Sequence, residues 1–196
     1  CKLDLSPCQA YSSRAWGCVF CGSGAGWVGM TGTSQPAGLP PDRFFRVNIR
    51  VHFADTDAAG VVWFANFFRF FEEAEDELFR ALGRTRMEIL RDLGVMMPRV
   101  DASCRFRSPA HAEEVLDIGI AVESLTERRI TYRFEARERD SERLVAEGTY
   151  RVACVGADFT SMEFPPAVRA LFEHLDDLLR QQALGTAGSG RPAGWA

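Results

Sequence analysis

His52-Phe-Ala-Asp-Thr-Asp57-Ala-Ala-Gly-Val-Val-Trp63 runs directly into Phe64-Ala-Asn-Phe-Phe-Arg-Phe-Phe-Glu-Glu-Ala74, and the change of hydrophobic period between the two decides the fold. Before the junction the chain alternates. Phe45, Val47, Ile49, Val51 and Phe53 fall on one side and Arg46, Asn48, Arg50 and His52 on the other, which predicts a half-buried strand over 44–53. Asp55-Thr-Asp57-Ala-Ala-Gly60 breaks that strand. Beyond it, Phe64, Phe67, Phe68, Phe71, Ala74, Leu78 and Leu82 recur at helical spacing, with Arg69, Glu72, Glu73, Asp76, Glu77 and Arg80 opposite them. A long helix over about 62–82 follows, and Gly83 suits its C-terminal cap.

Working outward, a shorter helix is expected over 87–93, ending at Gly94, and then the period changes to two. Strands are expected over 95–107, 114–125, 129–139 and 143–155, with turns at Ser108-Pro-Ala-His111, Thr126-Glu127 and Asp140-Ser141. Connections this short favour antiparallel pairing, because a parallel return needs a crossover of a dozen residues or more. Phe164-Pro165-Pro166 then opens a last amphipathic helix through Leu171, Phe172, Leu175, Leu178 and Leu179. The order of elements is that of an α+β domain in which one antiparallel sheet covers one aromatic helix.

The flanks read differently. Residues 1–42 lack sustained periodicity and end in the linker-like Gly29-Met-Thr-Gly-Thr-Ser-Gln-Pro-Ala-Gly-Leu-Pro-Pro41, so a disordered leader is expected, with Met30 a candidate true start. Residues 183–196, rich in Gly and Ala, read as a flexible tail, which leaves 43–182 as the working domain.

Composition excludes several partners. A net charge of −4, with no cluster of basic residues and interleaved aromatics, argues against nucleic acid. No apolar run reaches the roughly 18 residues that a membrane-spanning helix needs, and a cytoplasmic location is the expectation. Cys18-Val-Phe-Cys21 has the spacing of a zinc or redox pair but no second pair at finger spacing, so no metal is expected. The sequence contains no GxSxG elbow, no phosphate-binding loop and no HExxH, and His52, His111 and His174 show no common site.

What remains is a carboxylate pair, Asp55 and Asp57, where a strand delivers the chain to a helix N-terminus. One reading makes both aspartates turn and capping residues. The other makes them part of a site, because Gly60 leaves backbone approachable and Trp63, Phe64, Phe67 and Phe68 can line an apolar slot beside them.

The stretch Phe53-Ala-Asp-Thr-Asp57-Ala-Ala-Gly-Val-Val-Trp-Phe-Ala-Asn66, followed by Phe-Phe-Arg-Phe-Phe-Glu-Glu-Ala74, resembles the signature of the hotdog-fold 4-hydroxybenzoyl-CoA thioesterase family, which includes the thioesterases encoded beside the Tol-Pal envelope system. The likeness extends more loosely over about 43–180 and implies a hotdog fold, an antiparallel sheet wrapped around one long helix. It implies hydrolysis of an acyl-CoA or aryl-CoA thioester by a homodimer, often paired into a tetramer, with the site between two subunits. Asp57 matches the catalytic aspartate, as general base or as nucleophile, and the backbone N–H of Phe64 matches the carbonyl-binding donor. Gly60, Val61, Trp63, Asn66 and Phe67 in the matched stretch become candidate substrate contacts, and Glu72 a residue that could orient the site. Arg128 and Arg129 are candidates for the phosphates of coenzyme A. No cofactor is implied, since coenzyme A is part of the substrate. One departure stands out. Tol-Pal-associated members carry histidine, and the 4-hydroxybenzoyl-CoA enzymes tyrosine, where this chain has Phe64, so a backbone donor survives there and a side-chain donor does not. A non-catalytic acyl-CoA-binding module and a hotdog dehydratase, which needs an active-site histidine, are the alternative readings.

Overall fold

The computed structural model describes residue 40 and residues 43–188. Most of the expected leader, with Met30 and the Cys18/Cys21 pair, and the end of the tail lie outside the described residues.

The elements follow in the order β1 (Phe45–Arg50), α1 (Asn66–Ala81), α2 (Arg86–Leu93), β2 (Arg99–Phe106), β3 (Val115–Leu125), β4 (Arg129–Glu138), β5 (Leu144–Ala153), α3 (Pro166–Glu173) and α4 (Leu175–Gly188). The five strands form one sheet in the order β1-β3-β4-β5-β2, with every neighbouring pair antiparallel. This is the hotdog arrangement, with α1 packed on the inner face of the sheet.

Aromatic packing fixes α1 to the sheet. The Phe71 ring stacks on Phe134 of β4 at 4.7 Å, and Phe134 meets Tyr150 of β5 edge-on at 4.8 Å. The approach is so close that a Cβ on Gly148 would lie 2.4 Å from Phe71 Cε2, so only glycine lets the helix settle there. The Tyr150 hydroxyl donates to the Phe68 carbonyl at 2.7 Å, giving the buried phenol a partner. α2 is set by a capping box between Thr85 and Glu88 and ends at Gly94 with φ +64°.

Several expectations are corrected. β1 stops at Arg50, and Phe53 lies in a single 3-10 turn, Phe53–Asp55, where it is 84% exposed instead of facing inward. The cause is local: the Asp55 carboxylate takes the His52 N–H at 2.9 Å, curling the chain before the alternation is complete. On α1 the buried stripe is Phe67, Phe70, Phe71, Ala74, Glu75, Leu78 and Phe79, rotated from the expected one, while Phe64 precedes the helix and is 57% exposed. The first long strand begins at Arg99 because residues before it make only an isolated bridge, Met96 to Val155. The single last helix is two: the chain breaks at His174, and α4 reaches Gly188.

That break sets the two edges of the sheet apart. Gln182 of α4 accepts from the Arg46 N–H and donates to the Arg46 carbonyl, both at 2.8 Å, so it covers the free edge of β1 as a strand would. The outer edge of β2 has no strand beside it among the described residues, and β2 carries exposed Val100 and Phe106.

Candidate active site

The segment after β1 doubles back in a tight turn. Thr56 and Val62 form a bridge, the Asp57 N–H donates to the Val61 carbonyl at 2.9 Å, and the Gly60 N–H donates to the Asp57 carbonyl at 3.0 Å. Gly60 has φ +75°, the left-handed position that closes such a turn and that glycine adopts without a Cβ penalty. Asp57 opens the turn. Its Oδ1 accepts from the Ala59 N–H at 2.8 Å, while Oδ2 has no hydrogen-bond partner among the described residues. The side chain is thus held by one oxygen and exposed at the other.

Asp55 does different work. It is buried, and its carboxylate takes the His52 N–H at 2.9 Å and the Arg69 guanidinium at 2.5 Å. Its carbonyl takes the Trp63 N–H and the Asn66 side-chain amide, both at 2.9 Å. Four bonds to one residue lock the turn onto the first two turns of α1. Asn66 therefore spends its amide on the Asp55 carbonyl, which orients the loop from within.

The N-terminus of α1 is open. No side chain caps it, no acidic residue lies in its first turn, and neither aspartate bonds to its N–H groups. The Phe64 N–H precedes the intrahelical ladder, where the first N–H groups of a helix lack intrahelical acceptors and the macrodipole is positive. Aromatic rings surround this end. Trp63 and Phe64 meet edge-on at 5.4 Å, and Phe67 meets Phe106 of β2 at 5.4 Å. Trp63, Phe64 and Phe106 are each about half exposed, an apolar rim beside an acidic turn.

A second segment, between β2 and β3, supports the turn from below. The Val62 N–H donates to the Ala110 carbonyl at 2.8 Å, and His111 Nδ1 lies 3.0 Å from the Gly60 carbonyl. No periodicity or spacing places His111 near the aspartates. It stands 51 residues from Gly60, and only the fold of the sheet joins them.

The other candidates lie elsewhere. Gly60 and Val61 belong to the turn itself, and Phe67 is buried beneath the rim. Arg128 and Arg129 stand at the opposite end of the sheet within one chain. β3 starts beside Arg50 and runs 11 residues, roughly 30 Å, before that turn. Arg128 there meets Glu163 at 3.5 Å. Glu72 pairs with Arg86 at 3.2 Å and Arg99 at 3.3 Å. Behind it Glu75, fully buried, takes Arg99 at 2.6 Å and Arg86 at 3.4 Å, a cluster that no periodicity announced. Burial pushes the Glu75 carboxyl up, against the pull of both arginines. Cys104 and Cys154 are free thiols, and burial pushes Cys104 up to about 11, which makes it a poor nucleophile at neutral pH. Among the described residues no group of His, Cys, Asp and Glu is disposed to hold a metal ion, and no helix is long and apolar enough to cross a membrane.

Comparison with known proteins bears on this geometry. Residues 51–172 match the profile of the thioesterase-like superfamily. The acyl-CoA thioesterase YbgC of Haemophilus influenzae is 30% identical over 135 residues, covering 68% of this chain and 98% of that protein. The 1,4-dihydroxy-2-naphthoyl-CoA hydrolase of Thermosynechococcus vestitus is 33% identical over 115 residues, 59% of this chain and 73% of that protein. Among solved structures, the 1,4-dihydroxy-2-naphthoyl-CoA thioesterase from Synechocystis superposes with a TM-score of 0.62 over 68% of this chain and 96% of its own, at 23% identity, a likeness of fold.

Proposed function

The chain belongs to the thioesterase-like superfamily, and from that membership we propose that it hydrolyses an acyl-CoA or aryl-CoA thioester to the free acid and coenzyme A. The observation that carries the reading is the pairing of an uncapped helix N-terminus with an exposed carboxylate on a rigid turn. The thioester carbonyl oxygen docks on the Phe64 N–H, whose dipole is fixed in advance and stabilises the charge that develops on that oxygen. Asp57 acts through Oδ2. As a general base it takes a proton from a water whose oxygen bonds to the carbonyl carbon; the C–S bond breaks and the thiolate recovers the proton. As a nucleophile it bonds to that carbon itself, expels the thiolate and leaves an anhydride for water to cleave. Solvent label found in Asp57 after single turnover in labelled water identifies the second route with cleavage at the Asp57 carbon, and trapping of the anhydride by hydroxylamine identifies it whichever carbon water attacks.

A second copy of the chain completes the site in this account. The rim aromatics adjoin the edge of β2 that has no strand beside it among the described residues, whereas Gln182 bonds to Arg46 at the β1 edge. Antiparallel pairing of two β2 strands brings the far end of one sheet, with Arg128 and Arg129, toward the partner's turn, where they meet the phosphates of coenzyme A. Gly60, Val61, Trp63 and Phe67 border the acyl group. Two such dimers associate into a tetramer. The free thiols Cys104 and Cys154 suit a reducing cytoplasmic compartment.

A screen for thiol release over straight-chain and aryl-CoA thioesters tests this. Turnover of at least one class is expected; tight binding without turnover of any supports the non-catalytic module instead. His111 beside Gly60 gives the dehydratase reading one observation in its favour, and hydration of an enoyl-CoA by the same protein decides for it.

A further inference from the structure

The acyl group must leave the carbonyl site in some direction, and α1 and β2 offer one path. From exposed Phe64 the same face of α1 continues one turn on to half-buried Phe68, above the contact of buried Phe67 with Phe106, and Phe68 stacks on Tyr150 at 6.1 Å. There it ends on charge: Arg99 lies over the Tyr150 ring at 4.9 Å and binds Glu72 and Glu75. Arg86 binds the same two glutamates from the other side, and also Asp76 at 2.7 Å. Beyond Arg86 lies a cavity of about 490 Å³, lined by Met87, Leu90, Val95, Met96 and Met97. Arg86 and Asp76 form its near wall.

An ion cluster around a buried carboxylate such as Glu75 is a weak way to stabilise a core, because desolvation offsets most of the attraction. Here it is also incomplete, since Glu75 Oε1 has no hydrogen-bond partner among the described residues. Its position has a consequence instead. It stands between Phe68 and the methionine-rich cavity, to which Arg80 and Thr85 also contribute.

We propose that the Arg99–Glu72–Glu75–Arg86 cluster is the floor of the acyl groove and sets the size of the acyl group this chain accepts. The inference rests on the reading that the thioester carbonyl binds at Phe64. Glu72 lies eight residues after Phe64, about 12 Å at helical rise with Asn66 onward in α1, and helical side chains lean back toward the N-terminus. That length holds one or two rings or a short chain. A long alkyl chain would have to strip water from the paired charges to reach the methionine-lined cavity.

Glu72→Leu removes a carboxylate that holds Arg86 and Arg99 together, which frees the Arg86 side chain to turn aside with Asp76 and opens the floor, and Arg99→Met opens it from the strand side. The probes are benzoyl-CoA and dodecanoyl-CoA, compared by kcat/KM for thiol release and by calorimetric Kd. The dodecanoyl-to-benzoyl preference should rise at least about tenfold in either measurement, since each methylene received by an apolar pocket is worth about that much. Leu90→Trp added to Glu72→Leu fills the cavity and should abolish the gain. An unchanged preference in folded Glu72→Leu and Arg99→Met proteins, or a gain that survives Leu90→Trp, overturns the proposal. If neither the wild type nor any variant releases thiol from these probes or from any other thioester of the screen, the hydrolytic reading fails, and the ratio of binding constants still decides the role of the cluster.

Discussion

His111 Nδ1 lies 3.0 Å from the carbonyl oxygen of Gly60, tying the segment after β2 to the turn that presents Asp57. A carbonyl only accepts, so Nδ1 carries the proton in this contact. With Val62 bonded to Ala110, the turn is held by two bonds from a part of the chain that contributes no carboxylate to it.

His111→Ala should therefore loosen the turn without removing a reacting group. Loss of one such bond is worth about 1 kcal/mol, so kcat/KM for thiol release should fall about fivefold. His111→Asn, whose amide can also donate, should recover part of it. A loss beyond a hundredfold, on the scale of about 10² or more that a proton-transfer group contributes, would assign His111 to the chemistry instead.

Gly148 tests the packing of the central helix. A methyl group there meets Phe71 at 2.4 Å with the Ser103 carbonyl at 3.0 Å behind it, so neither neighbour can give way freely. Gly148→Ala should lower the stability measured by urea unfolding by about 1–3 kcal/mol, the usual cost of overpacking. Unchanged stability would mean that α1 does not press on β5 as described.

Glu75 is the buried member of the ion cluster. Glu75→Ala removes the buried one of the two carboxylates that Arg86 and Arg99 share and leaves a void beside both cations, which should cost about 3–5 kcal/mol in the same measurement. Glu75→Gln, which keeps the volume and removes the desolvated charge, should cost clearly less.

Glu138 supplies a pH dependence of known sign. The Ser141 hydroxyl and the N–H groups of Asp140 and Ser141 hold its carboxylate, pulling it from 4.5 down to about 2. The folded state thus binds this proton more weakly than the unfolded state. The stabilisation is fully present above about 4.5 and is lost as pH falls through about 2. Carbon-detected titration should find the low value in the wild type and a return toward 4.5 in Ser141→Ala.

Much of this was legible in the residues, for definable reasons. The alternation ending near His52 and the helical recurrence after Trp63 are local signals, and they located β1, α1 and the turn between them. The four later strands emerged to within a few residues because each has its own two-residue period. What was illegible depends on tertiary placement. The phase of α1 is not legible in the phenylalanine spacing because helices as well as the sheet cover it: Phe79 packs on Phe172 of α3, and Glu75 meets Arg86 of α2 and Arg99 of β2. Phe53 looked like an inner strand residue until the Asp55 carboxylate captured His52. Asp55 and Asp57 are two residues apart and chemically alike, and only their partners distinguish the locked carboxylate from the half-free one. The approach of His111 leaves no trace in a sequence at all.

The central claim is that the Asp57 carboxylate performs the chemistry, and Asp57→Asn tests it most directly. The asparagine carbonyl can still accept from Ala59, so the turn survives while the base or nucleophile is removed. Measured on the thioester the wild type hydrolyses best, with the unfolding midpoint unchanged, kcat should fall by about 10²–10⁴. A kcat within about threefold of the wild type would contradict the account.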